Sequence, residues 1–175
     1  WGDDERFVRT YWQSVPGRMA YSTFDWGIRD ADGYFYILGR TDDVINVAGH
    51  RLGTREIEES ISGHPNVAEV AVVGVADALK GQVAVAFVVA RDASGLVEHG
   101  ARMALEGDIM KLVDGQLGAV ARPARVHFVS LLPKTRSGKL LRRAIQAVCE
   151  GRDEGDLTTI EDPAALQQIR DLLVI

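Results

Sequence analysis

Two apolar runs, Val67 to Val75 and Gln82 to Val89, constrain this chain more than anything else in it. Each reads as a strand, and Ala124 to Leu131 supplies a third. The runs are separated by a loop, Asp77 to Gly81. Helical patterns surround them. Thr54 reads as an N-cap, with Glu56, Glu58 and Glu59 near the helix start, Ile57 and Ile61 facing a core, and Gly63 as the stop. Residues 91 to 100 form a polar connector, and Ala101 to Leu117 reads as a helix with Met103, Ile109, Leu112 and Val113 among its apolar residues. Leu140, Leu141, Ala144, Ile145 and Val148 recur at helical spacing. Asp162-Pro163 is a cap and first-turn pair opening a last helix, with Leu166, Ile169, Leu172 and Leu173 inward. Helices alternating with a few strands predict an α+β fold, a small sheet covered by helices.

The first forty residues read differently. Phe7, Tyr11 and Trp12 could make one helical face, and from Met19 to Leu38 aromatic and β-branched residues flank Asp32-Gly33, the signal of an antiparallel hairpin. Asp42-Asp43 then interrupts a strand pattern. Adjacent like charges suit a sheet interior poorly, so a mobile joint there is physically reasonable. The expected division is therefore a terminal segment over residues 1–41 and a second domain over 42–175.

With 46% hydrophobic and 26% charged residues in 175, the composition is that of a soluble globular protein with one or two small domains. A pI near 5.4 argues against broad nucleic-acid binding, and no apolar run is long enough to span a bilayer. A cytoplasmic enzyme fits these limits. The single cysteine, Cys149, excludes an internal disulfide framework and falls on the apolar side of its helix. Opening on Trp-Gly-Asp-Asp, without an initiator methionine or signal pattern, the chain reads as part of something longer.

Against a formal net charge of -5, one stretch reverses the sign: Leu132 to Arg143 holds Lys134, Arg136, Lys139, Arg142 and Arg143 and no acid. Thr135 to Gly138 can form a tight polar loop, which would put Lys139 at the mouth of a helix. An ammonium on such a loop can meet phosphate or carboxylate oxygens in a cleft, where Coulomb energy grows as water leaves. Ser-Gly-Lys is not a P-loop, because Leu140 stands where that motif needs a hydroxyl. From the residues themselves two readings remain: a solvated basic turn before an amphipathic helix, and a module that binds nucleic acid or an acidic partner through residues 134–143.

The run Pro-Lys-Thr-Arg-Ser-Gly-Lys at 133–139 resembles the catalytic-lysine loop of AMP-forming acyl-CoA synthetases, members of the adenylate-forming superfamily. Residues 39–53, Gly-Arg-Thr-Asp-Asp-Val-Ile-Asn-Val-Ala-Gly-His-Arg-Leu-Gly, resemble that family's hinge and the loop following it, and Lys80-Gly81 also stands as in the family. Tyr21 to Asp25 is similar to its Thr-Gly-Asp segment, with Phe24 in place of the glycine, a variation found in the propionyl-CoA synthetase branch.

The resemblance implies a set of roles. Lys139 would bridge the substrate carboxylate and the α-phosphate during adenylation, and Asp42 would be the hinge about which the C-terminal domain rotates before thioester formation. Asp25 would accept hydrogen bonds from the ribose hydroxyls. Arg40 would contact ribose and phosphate, and Arg51 would hold phosphate. Ala48 and Gly49 would face the pantetheine of CoA. Ser62, His64 and Val67 are the positions at which acetyl-CoA synthetases can hold a cation, mainly through carbonyl oxygens. Asp114 stands where those enzymes place a basic residue for a CoA phosphate, so that contact does not transfer.

The implied substrates are ATP with magnesium, CoA, and propionate or another short-chain carboxylate, with AMP released. The implied partners are the N-terminal domain of the same enzyme, together with an acetyltransferase and a deacetylase acting on Lys139. The phosphate loop, adenine pocket and acyl pocket of such an enzyme are expected upstream, so this chain alone should not turn over propionate. An acetyl-CoA synthetase and a carrier-loading adenylation domain are the alternatives within the superfamily.

Overall fold

The two valine-rich runs pair with each other along their whole length. In the computed structural model, which describes residues 2–13, 15–92, 94 and 98–173, they are the longest strands of a five-stranded sheet. The chain forms two compact units, Trp1–Asp43 and Val44–Ile175. In the first, helix α1 (Asp4–Tyr11) presents Tyr11 to a ring cluster with Phe7, Tyr21 and Phe24, and strands β1 (Asp25–Arg29) and β2 (Phe35–Arg40) form the expected hairpin. Its loop is wider than a tight two-residue turn. Asp30 closes it by accepting the Tyr34 N–H at 2.8 Å, with Gly33 in the left-handed region.

The second unit holds strands β3 (Val44–Val47), β4 (His50–Gly53), β5 (Val67–Asp77), β6 (Gly81–Ala90) and β7 (Arg125–Phe128). Their order is β4-β3-β6-β5, with β7 parallel to β6 and all other pairs antiparallel. Strand β5 is thus an edge. Along it side chains alternate between two cores: Val70 and Val72 face one, Ala71 and Val73 the other. The first core is closed by helices α2 (Thr54–Ser62) and α3 (His99–Leu117) through Ile57, Ile61, Leu105, Ile109 and Val113. Helices α4 (Arg142–Cys149) and α5 (Ala164–Leu173) close the second through Ala144, Ile145, Leu166 and Ile169. Helices on both faces of a small sheet make the α+β fold expected from the pattern.

Several boundaries move. Thr54 is not the N-cap of α2 but its first helical residue, behind Gly53, and among the described residues its buried Oγ1 has no hydrogen-bond partner. Met103 and Leu173 point outward rather than into the core. The third strand is only Arg125–Phe128: the Val129 N–H still donates to the Val88 carbonyl of β6 at 2.9 Å, and beyond it the chain runs to the lysine loop. The polar connector is shorter than expected, since α3 begins at His99; part of it lies outside the described residues. Asp162 does cap α5, accepting the Ala164 N–H at 2.9 Å. Cys149 packs against the second core, and burial pushes its thiol up to about 11, so it stays protonated at neutral pH. Among the described residues no helix is long and apolar enough to cross a membrane.

Candidate active site

Lys139 stands on a closed hairpin. Lys134 and Leu140 bridge its base, the Thr135 N–H donates to the Lys139 carbonyl at 2.8 Å, and the Gly138 N–H donates to the Thr135 carbonyl at 2.8 Å. The turn requires a left-handed residue, and Gly138 takes it at φ 81°. Thr135 Oγ1 receives the Lys139 N–H at 3.1 Å and lies 3.0 Å from Ser137 Oγ. From outside, the loop is bracketed by 157–161: the Arg136 N–H donates to the Thr159 carbonyl at 3.1 Å, and the Glu161 N–H to the Lys134 carbonyl at 2.8 Å. The Lys139 side chain is exposed, and among the described residues no ion pair reaches its ammonium. Contrary to the expected helix mouth, α4 starts only at Arg142, behind Leu141, so Lys139 belongs to the loop rather than to the helix terminus.

Two other cations of the basic run are not available to a ligand. Lys134 Nζ lies 2.6 Å from Glu69 of β5. Arg142 makes a fork with Glu58: Nε to Oε1 at 3.0 Å and Nη2 to Oε2 at 2.7 Å. That pair is the main structural feature not legible in the residues, where Glu58 reads only as one of three acids near a helix start. Glu58 is 8% exposed, and its Oε1 also accepts the Val72 N–H at 2.9 Å. Since α2 and α4 cover opposite faces, the bridge passes around the free edge of β5 and fastens the residue where the lysine loop runs into α4. Glu150 accepts a second N–H of the same strand, Ala76, at 3.0 Å. Exposed strand edges invite pairing with other chains, and here carboxylates occupy the edge.

A second candidate element is the turn between β3 and β4, which is a hairpin rather than the loop that the resemblance implies. Val47 and His50 pair across it, and Ala48 at φ 50° and Gly49 at φ 86° are both left-handed, as a two-residue type I′ turn demands. The usual signal, Asn or Asp before Gly, is missing because alanine takes the strained first position. A Cβ at Gly49 would meet nothing within 4 Å, so the space in front of the turn is open. Gly49→Ala is therefore expected to destabilise the chain by about 1–2 kcal/mol through backbone strain alone. Urea unfolding checks this; an unchanged midpoint would mean that the turn relaxes.

The Ala48 N–H donates to the Lys80 carbonyl at 2.8 Å, which ties this turn to the one between β5 and β6. Within the latter, Asp77 Oδ1 accepts the N–H of Lys80 at 2.8 Å and of Leu79 at 2.9 Å. Those donors, Lys80 first, hold the Asp77 carboxyl below the usual carboxylate range. Arg51 lies on β4 opposite Asn46 with an exposed side chain.

In the first unit, Asp25 and Arg40 are direct partners across the hairpin, their charged atoms 3.9 Å apart in a loose, half-exposed pair. Phe24, at the family's glycine position, adopts the left-handed conformation glycine would take, φ 61°. Its carbonyl accepts the Thr41 N–H at 2.6 Å, and the Arg40 guanidinium lies 5.9 Å from its ring centre. Asp42 falls in a short 3-10 turn, Thr41–Asp43, immediately before the division between the units.

The cation candidates make a helix-to-strand turn whose bonds are internal: His64 Nδ1 accepts the Asn66 N–H at 3.2 Å, and its carbonyl accepts the Val67 N–H at 3.0 Å. Ser62 is exposed, and among the described residues no three His, Cys, Asp or Glu side chains gather as metal ligands. Asp114 is paired with Arg122 at 2.9 Å.

Residues 56–139 match the AMP-binding enzyme C-terminal domain. Propionate–CoA ligases of Salmonella typhimurium and Escherichia coli are each 70% identical over 173 residues, which is 99% of this chain. An acetyl-coenzyme A synthetase of Pyrobaculum arsenaticum is 46% identical over 97% of the chain. The chain spans 27% of the length of the two ligases and 24% of that synthetase. Among solved structures, an amide bond synthetase from Marinactinospora thermotolerans superposes with a TM-score of 0.64 at 30% identity, covering 84% of this chain and 27% of that one.

Proposed function

We propose that this chain, which belongs to the AMP-binding enzymes through its C-terminal domain, serves as the C-terminal part of an AMP-forming propionate–CoA ligase. In the first half-reaction a propionate oxygen attacks the α-phosphorus of ATP and pyrophosphate leaves. Two anions must meet, so a fixed cation between them lowers the barrier. Lys139 supplies that charge from a loop whose backbone is already closed, and magnesium enters with ATP as part of the substrate. Asp25 and Arg40 hold the nucleotide's ribose and phosphate. In the second half-reaction the CoA thiol attacks the carbonyl of propionyl adenylate and AMP leaves. Ala48-Gly49 borders the pantetheine and Arg51 holds phosphate. Asp42 is the pivot between the two arrangements.

The observation that carries this reading is the placement of both elements on one sheet. The lysine loop is tied to β5 at Glu69, whereas the Ala48-Gly49 turn is tied to its far end, beyond Asp77. At the rise of an extended strand those ends are roughly 25 Å apart. A unit that size presents one end or the other to a reacting centre, which suits a reaction in two steps divided by a rotation. The exposure of Lys139 also suits reversible acetylation by a protein acetyltransferase and its removal by a deacetylase, which would switch off the first step.

The full-length protein is expected to exchange pyrophosphate into ATP when given propionate, and to release propionyl-CoA when CoA follows. No exchange with propionate overturns the reading. Exchange faster with acetate would make it an acetyl-CoA synthetase, and transfer only to a carrier protein's pantetheine arm would make it a carrier-loading domain.

A further inference from the structure

The turn proposed to face CoA is strained, and something must hold it. Ala48 at φ 50° is a conformation that a residue with a Cβ leaves readily unless its surroundings over-determine it. Three contacts from the neighbouring strand do so: the Lys80 carbonyl on the Ala48 N–H at 2.8 Å, the pairing of Val47 with Gly81, and Gln82 Oε1 on the Asn46 N–H at 2.8 Å. The first depends on where the Lys80 carbonyl points. That is set by Asp77, whose Oδ1 gathers the N–H groups of both Leu79 and Lys80 into one tight turn, with Gly81 left-handed at φ 78° behind them. Leu79, at the tip, is 91% exposed, so packing of its side chain does not fix the turn.

We infer that Asp77 is a positioning residue for thioester formation: its carboxylate shapes the 77–81 turn, whose Lys80 carbonyl holds Ala48, and through it Gly49, in the conformation presented to CoA. This rests on the function proposed above. It assigns Asp77 no contact with substrate and no part in adenylation, because the lysine loop lies at the other end of β5.

The test uses the full-length protein with Asp77→Ala and Asp77→Asn, reading both half-reactions separately. Asp77→Ala is expected to leave propionate-dependent pyrophosphate exchange unchanged, while kcat/KM for CoA in thioester formation falls roughly 10- to 100-fold, the size of loss that a small misplacement produces. Asp77→Asn keeps an acceptor oxygen at the same place and is expected to behave as wild type in both. Unchanged CoA kinetics in Asp77→Ala would overturn the inference, as would equal losses in both half-reactions. An Asn variant as impaired as the Ala variant would also overturn it, because charge rather than turn geometry would then be at work. A wild-type protein that forms no adenylate would instead sink the functional reading itself.

Discussion

Lys139→Gln in the full-length protein is expected to lower propionate-dependent pyrophosphate exchange by about 10²- to 10³-fold, the usual loss when a fixed electrostatic contact to a reacting group is removed. Thioester formation from supplied propionyl adenylate should stay near the wild-type rate. The asymmetry follows from position. The lysine loop is bonded at the Glu69 end of β5 and the Ala48-Gly49 turn beyond its Asp77 end, so a change in one leaves the other's hydrogen bonds untouched. Glutamine is a suitable probe because the hairpin uses only the backbone of residue 139: its carbonyl accepts from Thr135 and its N–H donates to Thr135 Oγ1. The fold of the loop should therefore survive, and only the charge is lost, as it would be on acetylation. Equal loss in both half-reactions would remove Lys139 from the role given to it, and unchanged exchange would do so more directly.

What could be read from the residues divides along the distance over which each signal acts. Strands β5 and β6, the stop at Gly63, the cap at Asp162 and the polar turn ahead of Lys139 are written in neighbouring residues, and all of them are present in the structure. The hairpin at Ala48-Gly49 was hidden because its first turn position carries alanine at φ 50°, where local chemistry predicts Asn or Asp. Tertiary bonds to Lys80 and Gln82 override that preference. Leu140 and Leu141 continue the helical spacing and so predict Lys139 at a helix mouth, whereas in the structure Leu140 is held in the bridge to Lys134 and Leu141 is the cap. The grouping of Asp25 with Arg40 follows from hairpin register, which the Asp32-Gly33 signal implied only approximately. Roles toward ATP and CoA came from resemblance, since an exposed lysine and an open turn carry no substrate label of their own.

The Glu58–Arg142 bridge lay furthest from any local signal, its partners being 84 residues apart, and its loss should have the largest effect on stability. Glu58→Ala is expected to destabilise the chain by roughly 3 kcal/mol, the lower end for breaking a buried pair, since Arg142 keeps some contact with water. The change removes an acceptor from the Val72 N–H as well as from the guanidinium, and opens the edge of β5 between α2 and α4. For a unit of this size such a loss lowers Tm by about 10 °C. Arg142→Ala should cost a similar amount, because it leaves the Glu58 carboxylate largely buried with its main counter-charge gone. The double variant should fall short of the sum by about 1–3 kcal/mol, since both single changes break one interaction. Glu58→Gln, which keeps an acceptor for Val72, should lie between wild type and Glu58→Ala. Urea unfolding of the four proteins measures the cycle. Additive losses below about 1 kcal/mol each would reduce the bridge to an ordinary surface ion pair. The lysine loop would then owe its fixed position to its own turn and to the bracket from 157–161, not to a tie around the sheet edge.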